Sequence, residues 1–282
     1  MTDILNVYGN VIALVLINSI LGIGIYLVLC VNRFSLAAGG LMGLGAYVSA
    51  LATLQADAPF FVALLAGVLA AAFFALLVGL PVLRLEGDYF ALGTLAFTEI
   101  VRVVTFNWDS VTGGALGLDG IPIQTDQPVL AACLLALLAL VWWLRRGRFG
   151  RILEATRQDE TPAQSLGIDV AAVRLGMFVL SGAVCGLAGG LAAHLNSFIG
   201  PNDFGLVRSL DAVSYAVLGG LNSALGAVLG ATVFTVLPEA LRFSAQAREI
   251  LMSLLLLLAV VLLPRGLLSI VPRRRVAREP QR

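Results

Sequence analysis

The sequence has few charged residues and few side chains that carry out chemistry. Charged residues make up 12% of its 282 positions, about half the share of a typical soluble domain. All of its Lys and Arg positions are arginine, so the chain has no lysine. Without lysine a Walker-type phosphate loop is impossible, and the motifs H-E-x-x-H and G-x-S-x-G are absent as well. We therefore expect no ATP hydrolysis, no catalytic residue and no cofactor on this chain.

The remaining reactive residues also argue against metal and disulfide chemistry. Cys30, Cys133 and Cys185 each lie inside an apolar run, where an unpaired cysteine packs as a small hydrophobe. His194 is the only histidine and cannot form a metal site alone, so we expect it at a membrane interface. No basic tract suggests a nucleic-acid partner.

The sequence is instead rich in long apolar stretches. Hydrophobic residues make up 59% of the chain, its mean hydropathy is +0.96, and a membrane span needs ~20 apolar residues. Eight stretches fit or approach this length: 11–29, 36–54, 60–82, 89–106, 129–144, 171–195, 212–237 and 250–263. We predict an all-α polytopic transmembrane bundle of about eight membrane segments, forming a single domain over residues 1–282.

The arginines indicate how the chain is oriented. They crowd the polar loop 145–170 and the C-terminal tail 264–282, whereas the loop that holds Asp109, Asp119 and Asp126 has none. Because cytoplasmic segments are enriched in basic residues, we expect the loop and the tail in the cytoplasm and the aspartate loop in the periplasm. The start of the chain lacks a basic n-region, so we expect the first stretch to be the insertion signal rather than a removable signal peptide.

This orientation requires one segment to turn back. Three simple spans between loop 145–170 and the tail would place the tail outside, so one of them must be broken or re-entrant. Stretch 212–237 is the best candidate because the turn-like run 219–223 interrupts it. Irregular backbone at membrane depth is tolerated only where protein or water satisfies it, and broken helices often border a transport path.

The polar loop 148–169 is patterned like a pair of short helices. Ile152, Leu153, Ala155 and Thr156 fall on one side of the first helix. For the second helix we predict Thr161 as N-cap, Pro162 at the first position, Gln164 closing a capping box, and Gly167 ending the helix in the left-handed region. Two readings stay open: a surface that a soluble partner grips, or a solvated connector.

The loop resembles the cytoplasmic loop of ABC importer permeases of the branched-chain amino acid (LivH/LivM-type) family. The shared pattern is G-R-x-x-x-A-x-R-x-D-E-x-x-A-x-x-x-G-I, and Pro162 is an unusual residue within it. In that family the loop docks into the ATPase. The resemblance therefore implies a set of ATPase-coupling residues: Gly150, Arg151, Ala155, Arg157, Asp159, Glu160, Ala163 and Gly167.

The resemblance covers nearly the whole chain and favours the LivM-type branch. Further similar segments are 35–47, 83–102, 107–117 and 264–267. Ala37 and Ala38 depart from the family's usual Gly-His. The family implies alternating access with a second, LivH-like permease in a heterodimer, two cytoplasmic ATPases that hold ATP and magnesium, and a periplasmic binding protein, all at the bacterial inner membrane in contact with lipid.

A few polar or small residues within the apolar stretches are candidates for the translocation path. Glu99 and Arg102 lie three apart and can pair on one helix face, and charges at membrane depth usually face a cavity or protein interior. Glu99 and Arg102 can alternatively form a purely structural ion pair, and Asn222 and Ser223 can belong to a purely structural turn. Ser35 can instead cap the second helix. The candidates are Ser35, Gly39, Tyr47, Thr94, Glu99, Asn222 and Ser223.

The function expected from this resemblance is import of branched-chain or related amino acids, delivered by the binding protein, into the cytoplasm. The alternatives are an ABC permease for urea, amides or small aromatic acids, or a stand-alone secondary transporter. A secondary transporter needs ionisable residues along its path, and beyond Glu99, Arg102, Glu239 and Arg242 this chain has few.

Overall fold

The computed structural model describes residues 2–220 and 223–240. The chain in these ranges is helical, with one isolated antiparallel bridge between Leu118 and Ile199. The helices are α1 Thr2–Leu29, α2 Ala38–Gln55, α3 Phe60–Val82, α4 Asp88–Asn107, α5 Asp109–Thr112, α6 Gln127–Leu144, α7 Gly147–Gln158, α8 Glu160–Ser165, α9 Val170–Asn196, α10 Leu206–Gly219 and α11 Ala224–Ala240; two 3₁₀ turns span Gly114–Leu116 and Pro201–Phe204.

The predicted polytopic helical bundle is confirmed. Within the described residues, five helices are long and apolar enough to cross a membrane, namely Gly9–Leu29, Phe60–Val82, Asp88–Asn107, Gln127–Leu144 and Val170–Asn196. The predicted stretch 36–54 is largely α2, whose glycines and polar residues make it less apolar than these five. Its helix begins at Ala38, because residues 33–37 form an irregular segment. The stretch 250–263 and the tail 264–282 lie outside the described residues.

The seventh predicted stretch is a bent pair of helices, as the parity argument required. The chain from Pro201 to Gly219 and the helix from Ala224 to Pro238 meet at 116°. Gly219 lies against the Gly226 carbonyl and Gly230 against the Tyr215 carbonyl, so α10 and α11 form an antiparallel hairpin. The hairpin starts at Leu206 rather than 212, and its second arm runs back toward the N-terminal half of α1, where Thr235 accepts a hydrogen bond from Asn18.

Two ends of the bundle differ in charge. At the arginine-rich end, α7 and α8 lie beside the C-terminus of α1 and the N-terminus of α9; Arg145 Nη1 donates to the Tyr26 hydroxyl at 2.5 Å. At the aspartate-rich end, the loop 108–126 covers the C-terminus of α9, where the amides of Ile121 and Gln124 donate to the carbonyls of Ser197 and His194. This arrangement agrees with opposite sides for the two loops.

The centre of the bundle is packed through small residues. A Cβ atom placed on Gly189 of α9 would overlap the Met42 carbonyl oxygen of α2, and one on Gly45 would overlap the Gly186 backbone. Gly67 of α3 approaches the Gly45 carbonyl in the same way. Small residues let membrane helices approach until their backbones touch, so α2, α3 and α9 form one close-packed unit.

We predict that Gly189→Ala destabilises the protein by ~1–3 kcal/mol, the cost of overpacking a close contact. The matched control is Gly176→Ala on the same helix, where an added Cβ meets no atom within 4 Å; there alanine should be neutral or stabilising by up to ~1 kcal/mol. Thermal unfolding of the detergent-solubilised variants measures both. Equal unfolding temperatures for the two variants would contradict the close α2–α9 contact.

Candidate functional site

The loop between α6 and α9 forms two surface helices, as predicted. Leu153 and Thr156 of α7 are buried and Ile152 and Ala155 half-buried, which agrees with the predicted apolar side. Gly167 ends α8 with φ +79°, and the Ile168 amide donates back to the Ala163 carbonyl. The surface of this pair is therefore a fixed shape, ordered by its own capping bonds.

The predicted cap of α8 was wrong by two residues. Asp159 has the extended backbone that a cap requires, and its carboxylate accepts a hydrogen bond from the Thr161 amide at 3.0 Å. Thr161 is the second residue of the helix, and Gln164 bonds to the Glu160 side chain instead of closing a capping box. The physical reason is that aspartate caps at least as well as threonine and precedes it in the chain.

An ion pair joins α8 to the long helix α9. Arg174 Nη1 lies 2.8 Å from Glu160 Oε2, and the Arg174 side chain is only 10% exposed. Ala163 is buried beside it. Because α9 packs on α1, α2 and α3, this ion pair connects α8 to the centre of the bundle.

The predicted coupling residues all lie on α7, α8 and their flanks. Arg151, Asp159 and Gly167 are exposed, Ala155, Arg157 and Glu160 half-buried, and Ala163 buried. Gly150 lies against the Arg145 carbonyl. The exposed members form an accessible surface, and the others hold it on the bundle.

A second polar region lies inside the bundle, where the irregular residues 33–37 lead into α2. The Leu36 amide donates to Thr94 Oγ1 at 2.9 Å, and Thr98 Oγ1 donates to the Leu36 carbonyl at 2.8 Å. The Gly39 amide donates to Ser209 Oγ on α10 at 2.9 Å. Side chains thus satisfy backbone groups that no helix satisfies, as membrane depth requires.

Glu99 and Arg102 of α4 form the predicted pair and also bind the hairpin. Arg102 Nε donates to Glu99 Oε2 at 2.7 Å, and the two side chains are 34% and 35% exposed. The Leu206 amide at the start of α10 donates to Glu99 Oε1 at 3.1 Å, and Arg102 Nη1 donates to Asn202 Oδ1 at 3.3 Å. Glu99 keeps acceptor capacity, since a carboxylate can accept about four hydrogen bonds.

The structure places the candidate path residues in three settings. Ser35, Gly39, Tyr47 and Thr94 are buried around the start of α2, and Glu99 is the partly exposed member beside them. Ser223 is half-buried at the tip of the hairpin, and its hydroxyl accepts from the Leu225 amide at 3.3 Å. Asn222 lies outside the described residues. Five of the seven candidates therefore surround one region, and their part in a path stays a prediction.

The sequence interpretation missed a series of side-chain hydrogen bonds that links α10, α1 and α11. Arg208 Nη2 donates to Asn18 Oδ1 at 2.8 Å, and Asn18 Nδ2 donates to Thr235 Oγ1 at 2.9 Å. Arg208 Nε also lies 3.5 Å from the Met42 sulfur. The available signal was the single amide Asn18 inside an apolar stretch, because a polar residue at that depth needs a partner.

Among the described residues there is no group of three or more His, Cys, Asp or Glu side chains placed to hold a metal ion. His194 is buried rather than interfacial. Its Nδ1 lies 2.8 Å from the Gly190 carbonyl, and its ring packs edge-on against Phe60.

Known proteins resemble the chain in sequence and in fold. Residues 7–263 match the family model described as branched-chain amino acid transport system / permease component. The permease protein LivM of the Escherichia coli (strain K12) high-affinity branched-chain amino acid transport system is 32% identical, over 92% of this chain and 69% of LivM. LivH of Salmonella typhimurium is 32% identical over 58% of this chain and 54% of LivH.

A solved structure shares the fold. A chain of the structure titled PsaBC from Streptococcus pneumoniae in complex with Fab superposes with a TM-score of 0.52. The match covers 93% of this chain and 94% of that chain at 14% identity. At this identity the likeness concerns the fold alone.

We predict that Thr98→Val destabilises the protein by ~1–3 kcal/mol, because it leaves the buried Leu36 carbonyl without its donor. The control is Thr232→Val on α11, whose hydroxyl donates to the Val228 carbonyl of its own helix at 2.8 Å; it should cost less than ~1 kcal/mol. Urea or thermal unfolding in detergent measures the difference. A Thr98 variant as stable as the Thr232 variant would contradict the role given to this hydroxyl.

Proposed function

Because the chain belongs to the family of permease components of branched-chain amino acid transport systems, we propose that it moves branched-chain amino acids inward as the membrane subunit of an ATP-driven importer. The observation that carries this proposal is the capped helix pair α7–α8, exposed at the arginine-rich end and joined to α9 by the Glu160–Arg174 pair. A stand-alone transporter needs no surface that binds a partner ATPase. The chain is a multi-pass membrane protein, and we place it in the inner membrane with the arginine-rich end in the cytoplasm.

The cargo is a branched-chain amino acid in this proposal because LivM and LivH, which the chain resembles, are both permeases of branched-chain amino acid transport systems. LivM aligns with 92% of the chain and LivH with 58% at the same identity. The cargo is a zwitterion with an apolar side chain. Glu99 and Arg102 supply one charge of each sign at the depth where α10 begins, which suits a passing ammonium and carboxylate.

In this proposal, partner subunits complete the importer. Glu99 and Arg102 are about one third exposed, and charges at membrane depth normally face protein or a water-filled cavity. A second, LivH-like permease facing this side of α4 and α10 would enclose them. Two cytoplasmic ATPases would hold ATP and magnesium and grip α7–α8, and a periplasmic binding protein would deliver the cargo at the aspartate-rich end.

The coupling step then follows from the packing. Movement of an ATPase displaces α8, and the buried Arg174 contact passes the displacement to α9. Because α9 is packed against α2 and α3 through glycines, these helices move together as one body. The polar contacts of α10 with α4 and α1 can be replaced by contacts with water. The path therefore opens and closes by movement of α10 relative to α2, α3 and α9.

We predict that Gly167→Val lowers ATP-driven leucine uptake about tenfold, since a β-branched residue at φ +79° costs ~1–2 kcal/mol in the docked conformation. The control is Gly120→Val at the aspartate-rich end, where φ is +73° and an added Cβ likewise meets no atom within 4 Å. Uptake into proteoliposomes that hold the whole importer measures both, and co-purification reports ATPase binding. Uptake by this chain alone, without ATPase, would overturn the proposed function.

We predict that Glu99→Gln raises the KM for leucine uptake about tenfold or more, because a charge-assisted hydrogen bond to the ammonium is worth ~1.5–3 kcal/mol. The control is Glu154→Gln, an exposed carboxylate on α7 that accepts from Gln158 Nε2. Normal KM and uptake in the Glu99 variant, at normal membrane levels, would assign the pair a purely structural role.

A further inference from the structure

A cleft at the arginine-rich end borders the α7–α8 pair and shares the Glu160–Arg174 ion pair with it. It has a volume of about 1050 Å³ and lies between the end of α1, the turn from α3 to α4, helix α8 and the start of α9. Its walls include charged side chains of both signs and an apolar side. The charged residues are Arg33, Arg84, Arg174, Glu86, Asp88, Glu160 and Asp169.

Two arginines in this cleft keep unused hydrogen-bond donors. Arg33 Nη1 donates to the Leu85 carbonyl and Arg174 Nη1 to Glu160. The Nε atoms of both residues are buried and lack a hydrogen-bond partner among the described residues. A buried donor without a partner is costly. Burial and the nearby Arg174 both lower the pKa of Arg33, which agrees with two cations sharing this space.

The charge of the cleft favours a ligand that carries both signs. Four carboxylates face three guanidinium groups, so a simple anion would meet net repulsion despite the arginines. A zwitterion avoids this conflict. Its anionic group can bind Arg33 and Arg174, while an ammonium can donate to the carboxylates of Glu86 and Asp88 on the opposite rim.

The apolar side of the cleft continues onto the outer face of α3. Leu80 lines the cleft and is 55% exposed, and Leu83, Leu175 and Phe34 lie beside it. On the same helix, exposed apolar residues recur every three or four positions, which forms a continuous stripe. The stripe consists of Phe61, Leu65, Leu69, Phe73, Leu76, Leu77 and Leu80.

We propose that this cleft binds the headgroup of a phospholipid with a primary ammonium, such as phosphatidylethanolamine, with an acyl chain along the α3 stripe. The phosphate lies beside the guanidinium groups of Arg33 and Arg174, which line the cleft, and the ammonium lies beside the carboxylates of Glu86 and Asp88. Lipid headgroups are known to bind in pockets between membrane helices at the cytoplasmic surface. Because Glu160 and Arg174 also join α8 to α9, the bound lipid stiffens the base of the coupling surface.

The test measures phosphatidylethanolamine retained by the full-length chain in its importer complex, purified in mild detergent and analysed by mass spectrometry. Arg33→Gln should lower retention about tenfold, the effect of losing one charge-assisted hydrogen bond. The control is Arg148→Gln, which removes the same charge from an exposed position on α7 outside the cleft and should retain the lipid. A double variant, Arg174→Gln with Glu160→Gln, tests the second arginine without leaving a lone charge.

Nanodiscs distinguish the headgroup chemistry. Phosphatidylglycerol has the phosphate without the ammonium, and phosphatidylcholine has a quaternary ammonium that cannot donate hydrogen bonds, so both should bind about tenfold more weakly. Equal retention by the Arg33 and Arg148 variants would overturn the proposal. So would equal binding of phosphatidylglycerol, displacement of the lipid by free leucine, or its loss when the ATPase subunits join.

Discussion

Backbone amide and carbonyl groups cannot remain without hydrogen-bond partners in the hydrocarbon core, and the irregular residues 33–37 bring several of them inside this bundle. Thr94 and Thr98 of α4 bind the two backbone groups of Leu36, and Ser209 of α10 accepts from Gly39. These bonds fix where α2 starts and bring α4 and α10 to the same point. The polar region around Glu99 exists because this backbone has to be satisfied there.

Small residues provide the second constraint. The contacts of Gly189 with Met42 and of Gly45 with Gly186 leave no room for a side chain, so α2, α3 and α9 cannot slide past one another without steric overlap. A displacement at Arg174 is therefore transmitted rather than absorbed, because close-packed interiors are stiff. This is why a short exposed helix such as α8 can influence the middle of a membrane bundle.

Hydropathy predicted α3 and α6 to within two residues, and the turn-like run 219–223 predicted the break in the seventh stretch, since both depend on properties that each segment carries alone. Residues 36 and 37 were assigned to a helix because they are apolar, and nothing local shows that Thr94 and Thr98 bind their backbone. The cap at Asp159 was missed because two capping residues lie two positions apart. The Arg208–Asn18–Thr235 chain joins three helices far apart in sequence, so only the fold brings it together.

The backbone contacts at glycines and the hydrogen bonds of polar side chains respond differently to water. Backbone contacts at glycines gain nothing from water and exclude it, whereas the bonds of Glu99, Arg102 and Arg208 can be replaced by water bonds of nearly equal enthalpy. All three of these side chains hold α10 or the turn before it, through Leu206, Asn202 and Asn18. Water entering the bundle would therefore weaken the contacts of α10 with α4 and α1 first and leave α2, α3 and α9 together. In the proposed importer, this difference would separate the part that carries force from the part that opens.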